Sequence, residues 1–195
     1  TTMLYINQRK YPDMPYQHNL KHGGAPADKS NISSAGCGLC CLCMVVENMT
    51  MHSFSLEECR QMVYDLKANM SAGSDLQIMG PAVAEKFGLT YDQTDDINKM
   101  LAHVHAGGMA VANSGGDREG YEGVFTHGGH YILVVSADET QACILDPALE
   151  PGKFDSPGRK GKVEVHEPFA YCDFSVLKKD CENRSPAYYL FARKR

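Results

Sequence analysis

The segment Ser33-Ser34-Ala35-Gly36-Cys37-Gly38 sets one cysteine in a turn of small residues, directly ahead of an almost wholly apolar run from Leu39 to Met49. A cysteine so placed opens a helix, where the first N–H groups and the positive end of the dipole favour thiolate over thiol. A thiolate attacks carbonyl carbon, so the chemistry on offer is nucleophilic acyl transfer. The flanking glycines let another backbone approach closely. The same residue also fits as a small buried hydrophobe.

A nucleophilic thiol needs a base. His130 follows Gly128-Gly129 and opens the most apolar run of the chain, His130 to Ser136, which puts its imidazole at a strand end. Asp146, ahead of Pro147 at the end of the next apolar run, can hold one imidazole nitrogen and leave the other for sulfur. A strand-terminal histidine can equally cap a loop, and Asp-Pro is a routine turn former.

These residues have to be carried by elements. Gly36 to Met49 is as long as an average helix and apolar on nearly all sides, which predicts a buried central helix. Ser55-Leu56-Glu57-Glu58 has the form of a capping box ahead of Leu56, Cys59, Met62, Val63 and Leu66 at helical spacing. Ser74-Asp75-Leu76-Gln77 suggests another cap, with Gly80-Pro81 able to delay the helix to Pro81 and Phe87-Gly88 ending it. Thr94 as cap, Asp95 and Asp96 in the first turn, and Ile97, Met100, Leu101 and Val104 on one face predict a further helix that Gly107-Gly108 ends.

Beyond it the period shortens, and residues 109–113, 130–136, 142–146 and 188–192 read as strands. Helices first and strands second predict an α+β fold with a largely antiparallel sheet, in one domain over residues 1–195. The first 36 residues read as an arm or loop, 114–129 as a glycine-rich functional loop, and 151–187 as a loop-rich excursion before a final strand.

The formal charge of −5 excludes a basic nucleic-acid binder, and no apolar stretch is long enough to span a bilayer. Residues Thr1 to Tyr5 lack the regions of a signal peptide, so the compartment stays open: cytoplasmic, or secreted or cell-surface if a leader is removed. Eight cysteines at 37, 40, 41, 43, 59, 143, 172 and 181 include four within seven residues, which is poor geometry for a disulfide framework. A Cys37/Cys40/Cys41/Cys43 metal site lacks a second ligand pair at the usual spacing, so neither metal nor cofactor is expected. His103 and His105 read as helix-end residues, and His18, His22 and His127 as loop residues.

Asn7-Gln8 with Pro15-Tyr16, Ala35-Gly36-Cys37-Gly38 opening the apolar helix, Gly129-His130-Tyr131-Ile132-Leu133-Val134, and Leu145-Asp146-Pro147 follow in an order that resembles the papain-like cysteine peptidases of the bacteriocin-processing (double-glycine leader) type. The likeness is to the stand-alone bacterial branch and covers about residues 5–150.

The resemblance implies a papain-like fold, with the central catalytic helix packed on the sheet and the active site at their junction. It implies Cys37 as nucleophile, His130 as base and later acid, Asp146 as orienting acid, and Gln8 as oxyanion donor beside the Cys37 N–H, with Gln17 a competing choice for that donor. The implied partner is a peptide or protein substrate. Leu39-Cys40 stands where the family commonly has a Pro-Thr-like pair, and Tyr11 where it has tryptophan, departures that bear on the groove and the substrate. The loop before His130 could cover such a groove as a lid. A catalytically silent peptide- or cell-wall-binding module and a cell-wall peptide amidase are the competing functions.

Overall fold

The computed structural model describes residues 2–17, 30–70 and 73–195, so His18 and His22 lie outside the described residues. The chain forms two compact units, residues 1–90 with 193–195, and residues 91–192.

The first unit is built around helix α2, Cys37–Met49, whose Leu39 to Val46 are without solvent exposure. Each such leucine or valine contributes about 1.5–3 kcal/mol on burial, which explains why an all-round apolar helix forms here. The short helix α1, Ile32–Ala35, precedes it and is closed by a reciprocal capping box between Asn31 and Ser34. Helix α3, Leu56–Asp65, carries the expected Ser55/Glu58 capping box and packs on α2. A two-residue ladder, β1 Asn69–Met70 with β2 Gly73–Ser74, leads to helix α4, Leu76–Phe87.

Helix α4 begins at Leu76, within the Ser74–Gln77 cap signal, and is not delayed to Pro81. Asp75 caps the helix by accepting from Gln77 N–H, and Pro81 sits inside it. Burial of Leu76, Met79 and Gly80 holds the first turn in spite of the N–H that proline removes. Gly88, at φ 71°, ends the helix in the left-handed region.

The N-terminal arm is more ordered than its composition suggests. Residues Gln8–Lys10 form one 3-10 turn, and the Met14 and Tyr11 carbonyls accept from Ile32 and Ser33 N–H, tying the arm to α1. Tyr16 is fully buried, its hydroxyl donating to the Gly73 carbonyl at 3.0 Å and bonded to Ser74.

The second unit holds helix α5, Ile97–His105, helix α6, Phe174–Cys181, and most of a seven-stranded sheet. Its strands are β3 Leu89–Thr94, β4 Met109–Ser114, β5 His130–Ala137, β6 Gln141–Leu145, β7 Val163–His166, β8 Phe169–Asp173 and β9 Tyr188–Arg193, in the order β3-β9-β4-β5-β6-β8-β7. Every neighbouring pair from β9 through β7 is antiparallel.

The cap of α5 is Asp96, not Thr94. Thr94 accepts from Asp96 N–H, and Asp95 accepts from the Ser185 hydroxyl and the Ala187 N–H. The helix-end histidines bond carbonyls, His103 that of Phe191 at 2.7 Å and His105 that of Asp138 at 2.8 Å.

Residues 151–187 contain β7, β8 and α6, where the composition predicts only loop. The β7–β8 hairpin extends the sheet at its edge, so only Ala170 and Cys172 of β8 and no residue of β7 are buried, and its alternation is correspondingly weak in the sequence.

Candidate active site

Cys37 and Gln8 belong to the first unit, His130 and Asp146 to the second. In the first unit Cys37 is the opening residue of α2, at a terminus with no side-chain cap bond, so the helix dipole bears on its sulfur. Gly36 has to be glycine because a Cβ there would meet the Ile32 carbonyl oxygen and Cγ2 at 2.6 Å. All eight cysteines are thiols. Seven are buried and Cys37 alone is half-exposed.

Four of the buried thiols, Cys40, Cys43, Cys172 and Cys181, are held protonated. Burial, then the neighbouring Cys43 and Cys37, raise Cys40, while the bond to Cys59 and burial raise Cys43. Burial, then the Asp180 charge, pushes Cys172 up to about 12 and raises Cys181 as well. Among the described residues no group of three or more His, Cys, Asp or Glu is arranged to hold a metal ion.

Gln8 lies in the 3-10 turn at 2% exposure and donates Nε2–H to the Ser33 carbonyl at 2.9 Å. Arg9 donates to the same oxygen at 2.6 Å. Gln8 is therefore fixed against the segment that leads into Cys37, and its amide carries a second hydrogen. Gln17 is exposed, its carbonyl accepting from Asn69 and its N–H donating to Tyr64.

In the second unit His130 opens β5 opposite Ser114 of β4, and Asp146 follows the last residue of β6. Leu145 pairs with Leu133, which sets Asp146 two positions diagonal to His130 on one sheet face. His130 Nε2 and Asp146 Oδ1 are 2.7 Å apart, at side-chain exposures of 7% and 0%.

Asp146 is also a turn former, since Oδ1 accepts from Ala148 N–H at 2.9 Å and its carbonyl accepts from Leu149 N–H at 3.2 Å. Burial pushes its carboxyl up. The His130 and then the Lys153 charges more than reverse that and hold it well below the usual carboxylate range. With Nε2 on Asp146, Nδ1 is the ring nitrogen turned away from that carboxylate.

Lys153 is the residue that sequence reasoning missed. Its Nζ donates to Asp146 Oδ2 at 2.6 Å from a turn in the segment read as loop. The one available signal was a cation seven residues beyond an Asp-Pro turn, too common a pattern to single out.

The loop from Gly115 to Gly129 is anchored on Asp180 of α6, a fully buried carboxylate. Asp180 accepts from the Val124 N–H and Tyr121 hydroxyl at 2.7 Å, the Phe125 N–H at 3.2 Å, and the Ser114 hydroxyl. Val124 and Phe125 are buried, so this loop is held from within as it enters β5. His127 is exposed and pairs with Asp117 at 3.0 Å.

The chain is mixed α/β with a largely antiparallel sheet. Among solved structures it is similar to a crystal structure described as a "putative C39-like peptidase from Bacillus anthracis", over 100% of this chain and 96% of the other, with a TM-score of 0.56 and 12% identity. At that identity the likeness shows the fold. No protein-family model and no curated protein matches the sequence. Among the described residues no helix is long and apolar enough to cross a membrane.

Proposed function

We propose that the protein is a cysteine peptidase of papain-like, bacteriocin-processing type, in which Cys37, His130 and Asp146 cleave a peptide bond through an acyl-enzyme. The observation that carries this reading is the buried His130–Asp146 pair at 2.7 Å, bonded through Nε2. A carboxylate without exposure is expensive to keep, and here it fixes the tautomer and tilt that a general base needs. The half-exposed thiol at an uncapped helix start supports the same reading from the other unit.

In the proposed reaction the Cys37 thiolate attacks the carbonyl carbon and the carbonyl electrons move onto oxygen. That oxyanion accepts from the Cys37 N–H and the second Nε2 hydrogen of Gln8. His130 gives its Nδ1 proton to the departing amine as the C–N bond breaks, leaving a thioester. Water then loses a proton to His130 Nδ1 and attacks the thioester, which releases the acid and restores the thiolate.

A peptide-library digest with the wild type and Cys37→Ala tests the proposal. Cleavage products are expected with the wild type and none with Cys37→Ala. Binding of peptides by both chains without products would instead make the protein a silent binder.

A further inference from the structure

The carboxylate that orients His130 carries a second, buried cation. Lys153 Nζ lies 2.6 Å from Asp146 Oδ2 and 3.4 Å from the Ala148 carbonyl, with its side chain 9% exposed beside the Phe154 ring. The two carboxylate oxygens are thus divided, Oδ1 toward His130 and Ala148 N–H, Oδ2 toward Lys153. Lys153 is itself fixed from behind, because its carbonyl accepts from Arg159 Nη1 at 3.0 Å. Arg159 is 6% exposed and directs Nε to the Gly123 carbonyl, with Glu122 at 3.8 Å.

We propose that Lys153 is a positioning residue that keeps His130 able to give up its proton, by compensating the Asp146 charge whether or not the imidazole is charged. This rests on His130 acting as a general base. A buried histidine–aspartate pair alone favours imidazolium, because neutralising the ring strands an unpaired buried carboxylate. A base held as imidazolium cannot take a proton from water when the thioester is hydrolysed. With Lys153 present, the neutral ring leaves a lysine–aspartate pair of zero net charge, so both protonation states are tolerated. The ammonium also disfavours a second cation at the same carboxylate.

The charged groups placed around this site within the unit include Asp146 at the end of β6, Lys153 in the following turn, Arg159 beyond it, already engaged with Glu122, and Arg184, whose Nη2 lies against Gly129 just ahead of His130 and donates to the Gly115 carbonyl at 3.4 Å. The exposed Asp117–His127 pair belongs to the glycine-rich loop. On the proposed function, the Cys37 thiolate is the remaining charge.

The test is a histidine-labelled NMR titration of His130 in the full chain carrying Cys37→Ala, which removes the thiolate. Adding Lys153→Gln is expected to raise the imidazolium-to-imidazole ratio at a given pH about tenfold, so that the midpoint moves up by about one pH unit. Lys153→Arg keeps the ratio within about twofold of the parent, since it keeps the charge.

Lys153→Met, of similar volume, is the second neutral variant. A ratio within about twofold of the parent in the neutral variants overturns the proposal, and so does failure of both to fold while Lys153→Arg folds, which makes Lys153 only a structural counter-ion. With Cys37 restored, Lys153→Gln should move the alkaline limb of kcat/KM to higher pH, whereas a purely structural loss lowers the rate without moving the limb. If the ratio responds but no peptide is ever cleaved, the proposed function fails and the Lys153 inference stands. If peptides are cleaved and the ratio does not respond, the inference falls alone.

Discussion

Gln8 spends one carboxamide hydrogen on the Ser33 carbonyl and has a second for a developing oxyanion. Gln8→Ala is therefore expected to lower kcat by about 10²–10³ with little change in KM, the pattern of a donor that acts on the transition state. Steady-state kinetics on any cleaved peptide checks this, and a rise in KM with kcat unchanged would assign Gln8 to substrate binding. Cys37, His130 and Asp146 were legible as candidates because each carries a local mark: a small-residue turn before an apolar run, a strand start after two glycines, an aspartate before proline. Lys153 carries no such mark. Its role comes from a turn that folds back on the carboxylate, and turn geometry of that kind is not written in residue type.

At the scale of elements, the central helix and the α3 capping box follow from pattern alone, since burial and capping act within a single segment. The edge hairpin β7–β8 and helix α6 do not, because neither carries a strong apolar face. Yet α6 supplies Asp180, which gathers two backbone N–H groups and the Tyr121 hydroxyl from the loop ahead of His130, and the Ser114 hydroxyl from the end of β4. Each buried donor left unpaired costs about 1–3 kcal/mol. Asp180→Ala is expected to destabilise the fold by several such increments and to expose residues 115–129 to amide exchange. Urea unfolding with hydrogen exchange measures both, and unchanged protection in that loop would contradict the anchor.

For the whole molecule, the Asp146 carboxyl ties stability to pH. Its folded-state pKa lies below the unfolded value of about 4, so its contribution is complete above that pH and is lost as the pH falls below it. The thermal unfolding midpoint of the wild type should fall as pH drops below about 4, and Asp146→Asn should flatten that dependence; an equally steep fall in the variant would place the acid sensitivity elsewhere. The α+β order of the chain was legible from helical periods giving way to strand periods, and the described sheet has that antiparallel character.

The central claim is that His130 activates Cys37. The rate of iodoacetamide alkylation of Cys37 near pH 5.5, followed by peptide mass mapping, tests it without any substrate. The wild type is expected to label at Cys37 at least about tenfold faster than His130→Ala, while the seven buried thiols react only after denaturation. Equal rates at Cys37 in the two chains would contradict the account.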